Sequence, residues 1–180
     1  MRRRLDQLRQ EIISELCVRR WHDVWFFPPR EGINGWRGTD PVMFIGPNPS
    51  RGHFPSHADL FFYGQLKQNG FSNAHLTDLF KICATSEEMR RHLADRALVR
   101  LHQTYLSKEI EILDPRLLVA LSDETLKTLQ CWLPKSLHTR LIKIRHYSWA
   151  NRYNRREEFS KDMAEVNLRL RTHGAANVRA

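Results

Sequence analysis

Apolar residues concentrate in four short stretches bounded by turn-forming residues, and this pattern predicts strands. The predicted strands are residues 42–45, 74–79, 117–121 and 141–144. Segments with helical spacing separate them, and parallel neighbours in a sheet require such crossover connections. The pattern therefore predicts a three-layer α/β/α fold, with a central four-stranded parallel sheet and helices on both faces.

Helical spacing of apolar residues is clearest at the N-terminus, where it predicts an amphipathic helix over residues 2–20. Further helices are predicted over residues 58–69, 86–112, 122–132 and 157–171. Residues 21–41 are rich in Pro, Gly and Trp and predict an irregular connection. We expect the tail, residues 172–180, to be frayed.

Length, charge and cysteine content narrow the class of protein. The 180 residues predict one domain, 1–180, and we expect a monomer. The excess of 29 Lys and Arg over 20 Asp and Glu gives a net charge of +9, which favours a polyanionic partner, DNA above all. Three scattered cysteines form no Cys-x-x-Cys pair, so we expect no metal site and no cofactor. The absence of a long apolar stretch and of a signal sequence predicts no membrane association and a cytoplasmic location.

Polar residues follow three of the four predicted strands. In doubly wound sheets, ligands bind outside the carboxyl ends of the strands, so these positions are the candidate site. They are Asn48 and Ser50 after the first strand, Asp78 and Lys81 at the second, and His146, Ser148, Asn151 and Arg152 after the fourth.

Three local motifs follow one another along the chain: Gly46-Pro47-Asn48-Pro49, Leu76-Thr77-Asp78-Leu79-Phe80-Lys81 and Ile144-Arg145-His146-Tyr147-Ser148. In this order they resemble the motifs of the uracil-DNA glycosylase superfamily. The resemblance covers residues 42–153 and implies an enzyme that excises bases from DNA. Two positions depart from the family pattern. Asp78 stands where most members have Asn, and Tyr147 replaces the proline of the usual His-Pro-Ser.

The resemblance implies a role for each motif. Asn48 takes the place of the polar residue that positions the attacking water, Asp78 that of the residue reading the base edge, and Ser148 that of a serine contacting a phosphate. Cleavage of an N-glycosidic bond leaves negative charge on the departing base, and a neutral His146 could donate a hydrogen bond to it. Without an evident lysine nucleophile, we expect a monofunctional enzyme that leaves an abasic site.

The departure at Asp78 bears on the base that is excised. An ionised carboxylate only accepts hydrogen bonds, which suits the amino group of cytosine and not the carbonyl of uracil. We therefore predict a modified cytosine, for instance a hypermodified phage base, and an antiviral role. Two alternatives stay open: Asn73 reads the base in a competing register, or a protonated Asp78 donates to a carbonyl.

Aromatic and basic residues complete the predicted DNA contacts. Phe61 and Phe62 fall where the family places an aromatic that stacks on the extruded base. The segment 140–156 is basic and lacks Asp and Glu, so it is the predicted DNA-facing surface. Its candidate contacts are Ser148, Trp149, Asn151, Arg152 and Arg155, and the residue that fills the vacated stack is one of Trp149, Asn151 and Arg152.

Two further functional hypotheses come from the same residues. The chain could excise uracil or another deaminated base in repair, or bind nucleic acid without catalysis. A nucleotide-binding protein is disfavoured, because residues 46–52 contain neither the Gly-x-Gly-x-x-Gly nor the Gly-Lys-Ser/Thr pattern.

Overall fold

The structure is a computed structural model that describes residues 1–19, 21 and 23–176, with side chains as far as Thr172. Its centre is a parallel four-stranded sheet in the order β2-β1-β3-β4. The strands are β1 (Val42–Gly46), β2 (His75–Asp78), β3 (Leu117–Leu121) and β4 (Leu141–Ile144). The predicted α/β class and parallel sheet are confirmed.

Seven α-helices lie in the described part of the chain. They are α1 (Arg2–Val18), α2 (His57–Gln68), α3 (Ser86–Ala94), α4 (Arg96–Leu113), α5 (Asp123–Trp132), α6 (Tyr147–Arg152) and α7 (Arg156–Ala176). Short 3-10 turns precede β1 and β4. No helix among the described residues is long and apolar enough to cross a membrane.

Alternation along the strands divides the core into two layers. Met43 and Ile45 of β1 face the cluster that contains the buried residues of α1, α4 and α5. Val42 and Phe44 face the opposite cluster, which contains those of α2, α6 and α7. Successive side chains of a strand point to opposite faces, so the near-continuous apolar strands are covered on both sides.

Several helix boundaries differ from the predicted ones. The predicted helix 86–112 is interrupted at Asp95, whose carboxylate accepts the backbone N–H groups of Ala97 and Leu98 and begins α4. Helix α1 ends at Val18, and the predicted end at Arg20 lies outside the described residues. Helix α7 continues past Thr172 to Ala176, so the predicted fraying is not seen that far, and residues 177–180 lie outside the described range.

The irregular segment 21–41 runs beside the chain that follows β2. Trp25 N–H donates to the carbonyl of Lys81 at 2.8 Å, and Cys83 N–H donates to that of Asp23 at 2.8 Å. This pairing brings Trp25 and Phe27 of the segment to the carboxyl edge of the sheet.

Candidate active site

A cleft of about 550 Å³ opens at the carboxyl edge of the sheet. Its lining includes Asn48 from the loop after β1, Asp78 from the end of β2 and His146 from the start of α6. Ser50 and Ser148 also line it. The structure thus brings together side chains that are up to 100 positions apart, because parallel strands deliver their carboxyl ends to one edge.

The side chain of Asn48 has a fixed orientation. Its Nδ2 donates to the carbonyl oxygens of Pro49, at 3.0 Å, and Ala84, at 3.2 Å. Those two acceptors identify the amide nitrogen, so Oδ1 is the atom left for a ligand in the cleft. A carbonyl oxygen held in this way can accept a hydrogen bond from a water and orient it.

Asp78 presents a buried carboxyl group to the cleft. The residue is only 5% exposed, and its carboxylate oxygens have no hydrogen-bond partner among the described residues. Burial raises the pKa of Asp78 to about 7, against the opposing effect of Lys81. A Cβ atom on Gly46 would lie 2.2 Å from Asp78 Oδ1, so the carboxyl group occupies space that only glycine leaves free. Asp78 can therefore accept or donate a hydrogen bond, depending on its protonation.

His146 is held as a neutral donor. Its Nδ1 accepts the backbone N–H of Ser148 at 3.2 Å and lies 2.6 Å from the Ser148 hydroxyl. Burial lowers the pKa of His146 to about 4, although Asp59 works in the opposite direction. A neutral imidazole whose Nδ1 accepts carries its proton on Nε2. That N–H is then available to a ligand in the cleft.

Tyr147, which replaces the expected proline, ties this loop to α2. Its hydroxyl donates to Asp59 Oδ1 at 3.2 Å, and its ring stacks on Phe62 with centroids 4.5 Å apart. The other oxygen of Asp59 accepts the N–H and the hydroxyl of Ser56 and caps α2. Tyr147, which departs from the family motif, therefore holds the loop of His146 against α2 through these two contacts.

The aromatic prediction is wrong for Phe61 and Phe62. Phe62 is fully buried in the core. The ring of Phe61 packs against that of Phe159, with the ring centroids 5.4 Å apart. Neither residue lines the cleft. The aromatic walls are instead Phe54, which lies 5.1 Å from Trp25, and Phe27. Sequence reasoning missed these residues. The density of Trp and Phe in the segment 21–41 was a signal for Phe27 and Trp25, whereas Phe54, in the loop after β1, gave none.

The competing register for Asn73 is also wrong. Asn73 precedes β2 and therefore lies at the amino edge of the sheet, opposite the cleft. Its Nδ2 donates to Asp40 Oδ1 at 2.8 Å and to Thr39 Oγ1 at 3.1 Å, and its Oδ1 accepts from Asn34 at 2.6 Å. Through these hydrogen bonds, Asn73 links the turn before β2 to the chain that precedes β1.

Lys81 is not available to DNA, contrary to the prediction. The residue is 1% exposed, and its Nζ lies 2.8 Å from Glu109 Oε1 and 2.6 Å from Thr77 Oγ1. The positive charge of Lys81 is therefore paired with Glu109 in the protein interior. From sequence alone a lysine beside a motif has the same appearance whether it faces solvent or the core.

Most of the basic segment 140–156 is neutralised by nearby acids. The pairs are Arg140–Asp114, Lys143–Asp123, Arg145–Asp162 and Arg155–Glu158. The exposed surface that remains near His146 is α6 with the residue after it, where Trp149 is 38% and Tyr153 58% exposed and their centroids are 5.7 Å apart. Arg152 is exposed there without a salt bridge to a described residue, and Asn151 accepts a hydrogen bond from Arg156 at 2.8 Å.

A salt-bridge cluster that the sequence did not predict borders the cleft. Arg51 donates to Asp23 Oδ2 at 2.9 Å and to Glu88 Oε2 at 2.8 Å. Its hydrogen bond lowers the pKa of Glu88, so that carboxylate stays ionised. The cluster joins the loop after β1 to the segment 21–41 and to α3.

Fold and site together define an α/β protein with a polar cleft at the carboxyl edge of a parallel sheet, built from a fixed amide, a buried carboxyl group and a neutral imidazole. Residues 37–171 match the family model described as Uracil DNA glycosylase superfamily. The chain belongs to this superfamily, and the predicted resemblance is confirmed. Membership supports a DNA glycosylase in general, a hydrolase that acts on DNA in base excision. A comparison with curated proteins gave no match.

Proposed function

We propose that this protein is a monofunctional DNA glycosylase that extrudes a modified cytosine and hydrolyses its N-glycosidic bond, leaving an abasic site. The observation that carries the choice of base is the carboxyl group of Asp78, which is buried, lacks a hydrogen-bond partner among the described residues and lines the cleft. A carboxylate accepts from the amino group of cytosine and repels the carbonyl oxygen that uracil presents at the same position.

Bond cleavage is divided between two residues in this proposal. As the bond breaks, electrons move to the base, and the Nε2–H group of His146 stabilises the developing charge on a base carbonyl oxygen. The sugar becomes cationic, and water held by Asn48 Oδ1 adds to it. The water gives its hydroxyl to the sugar carbon and its proton to the released base or to solvent, which balances the reaction.

The cleft has room for more than an unmodified pyrimidine. Pockets of about 300–1,000 Å³ enclose drug-sized ligands, and this cleft of about 550 Å³ lies within that range. Its lining also carries polar groups, including Arg51 and His53. Both features support a cytosine with a bulky polar substituent. Such bases protect some phage genomes, so we propose an antiviral role for a monomeric, cytoplasmic enzyme.

DNA binding is assigned to the α6 surface, with Ser148, Trp149, Asn151 and Arg152, and to Arg155 after it, which is 60% exposed despite its salt bridge to Glu158. Trp149 is the proposed side chain that fills the gap left by the extruded base, because it is aromatic and partly exposed beside the cleft. A phosphate contact by Arg152 contributes a slope of about −0.9 to the dependence of log K on log salt concentration. We expect Arg152→Ala to lose about this slope, and Lys81→Met, which removes a buried charge, to keep it.

The deciding experiment measures abasic sites in matched oligonucleotides that contain uracil, cytosine, or cytosine with a polar substituent at C5. We expect release of the substituted cytosine alone, and loss of that activity in Asn48→Ala and His146→Ala. Asp78→Asn should gain uracil release, whereas the matched exchange Asp123→Asn, outside the cleft, should change nothing. Strong release of uracil by the unaltered protein would refute the proposed base.

Uracil excision is the second candidate, and the raised pKa of Asp78 favours it. With a pKa of about 7, a large fraction of the carboxyl groups is protonated at neutral pH and can donate to a carbonyl. The same oligonucleotides distinguish the candidates. DNA binding without release of any base would instead indicate a non-catalytic member of the superfamily.

A further inference from the structure

A buried ionic network lies directly behind Asp78. The ammonium group of Lys81 contacts Glu109 Oε1 at 2.8 Å, Thr77 Oγ1 at 2.6 Å and the backbone carbonyl oxygen of Asp78. Glu109 is fully buried, and its Oε2 lies 3.1 Å from Nε2 of His75. The network therefore joins the end of β2, which contains Thr77 and Asp78, to the middle of α4.

Fold stability alone does not account for this network. Taking two charges out of water is expensive, and replacing a buried ion pair by apolar side chains of similar volume is often neutral or stabilising. The pair lies away from the cleft lining, so it does not contact the substrate either. Its one direct link to the site is the hydrogen bond from Lys81 to the residue whose carboxyl group faces the base.

We propose that Lys81 and Glu109 are positioning residues that set the charge of the Asp78 carboxyl group, and through it the choice between an amino and a carbonyl group on the base. This inference rests on the proposed base-reading role of Asp78. Lys81 favours the carboxylate, which accepts from an amino group. Glu109 favours the protonated form, which donates to a carbonyl oxygen.

The electrostatic effects on Asp78 agree with that division. Burial is the main cause of its raised pKa, Lys81 lowers that pKa, and Glu109 and Asp59 raise it further. The ionisable groups around Asp78 come from every neighbouring element. They are Lys81 and Cys83 after β2, Glu109 on α4, Asp59 and Tyr63 on α2, His146 and Tyr147 at the start of α6, Arg51 and His53 in the loop after β1, and Asp23 in the segment 21–41. Lys81 is the cation that lowers the pKa of Asp78, and because it is buried, salt screens its charge only weakly.

The test follows the titration of Asp78 itself in the full-length protein, by the ¹³C chemical shift of its carboxyl carbon. Asp78→Asn assigns the signal. We expect Lys81→Met to move the midpoint upward by about one pH unit, since it removes a nearby opposite charge. Glu109→Gln should move the midpoint downward, since it removes a like charge. Thr77→Val removes a hydrogen bond to Lys81 without changing a charge and should leave the midpoint in place.

Opposite shifts from the two halves of one ion pair are the distinguishing result, because general damage to the structure would move both midpoints in the same direction. Shifts of equal sign, or an unchanged midpoint in Lys81→Met, would overturn the inference. If Lys81→Met does not fold, Glu109→Gln decides alone, and a midpoint that rises or stays constant refutes the proposal.

The base preference gives a second readout. At pH 7, Lys81→Met should raise the ratio of uracil release to release of substituted cytosine about tenfold, corresponding to one pH unit. The two proposals can fail separately. The NMR midpoints report on the network even if the protein releases no base, whereas active variants with shifts of equal sign would leave the glycosylase proposal intact and refute this one.

Discussion

The neutral state of His146 allows a quantitative prediction about catalysis. Its pKa falls from an ordinary 6.5 to about 4 because the ring is partly removed from water. That difference corresponds to a preference of about 3 kcal/mol for the uncharged ring. At pH 7 nearly all molecules therefore hold the imidazole that donates through Nε2. Removing a preorganised donor to a developing anion typically slows catalysis about 10²- to 10³-fold.

We expect His146→Ala to lose this factor in the rate of base release, and His146→Gln, whose amide can still donate, to lose less. His138→Ala, outside the cleft, should keep the activity and serves as the control. The assay is single-turnover release from the preferred oligonucleotide, so product dissociation does not hide the chemical step. The pH profile is measured in Asp78→Asn, since Asp78 itself titrates near pH 7.

In that background the rate should be flat from pH 5.5 to about 8. An inflection near pH 6.5 that disappears in His146→Gln would refute the neutral-donor mechanism. The pH dependence of folding stability gives an independent check of the depressed pKa of His146. Because the folded-state pKa of His146 is depressed, the unfolded chain binds more protons between pH 6.5 and 4. Stability should therefore fall as the pH drops through this window, and fall less steeply in His146→Gln.

Three further changes test other parts of the cleft. Asn48→Asp should lower the free energy of unfolding by about 1–3 kcal/mol, because a carboxylate cannot donate to the two carbonyl oxygens that hold the amide. Thermal unfolding measures this effect, and an unchanged melting temperature would contradict the orientation of Asn48. Gly46→Ala should displace the Asp78 carboxyl group and erase discrimination between bases in the release assay, because the new Cβ would lie 2.2 Å from Oδ1. Phe54→Ala should weaken binding of DNA containing the target base by about 1–3 kcal/mol. Its loss of stability should be smaller than that of Phe62→Ala, about 3–5 kcal/mol, because Phe54 is only partly buried. The reverse pattern would restore Phe62 as the stacking residue.

The sheet and the polar centre of the site could be predicted from sequence because their signals are local. Short apolar runs fix the strands, and the residue types that follow them identified Asn48, Asp78 and His146. Parallel topology then brings these residues to one edge without further information. The break at Asp95 gave no comparable signal, since a polar residue on an exposed helix face is ordinary until its capping bonds are seen.

The predictions from sequence that failed concern the directions in which side chains point. Phe61 and Phe62 have the right chemistry, but the packing of α2 buries Phe62 and turns Phe61 toward Phe159. Lys81 was misassigned because its partner Glu109 lies 28 positions away, within an amphipathic helix whose pattern gives no sign of an ion pair. Such contacts depend on how elements pack together, which periodicity does not encode.

The distribution of tasks among the strands has an evolutionary consequence. Base reading is assigned to β2, at one margin of the sheet, while the amide and imidazole of the cleavage step follow β1 and β4. β2 has one hydrogen-bonded strand neighbour, β1, whereas β1 lies between β2 and β3. In the proposed division of tasks, a change of target base would need substitutions at the β2 margin alone, and the residues assigned to bond cleavage would stay as they are.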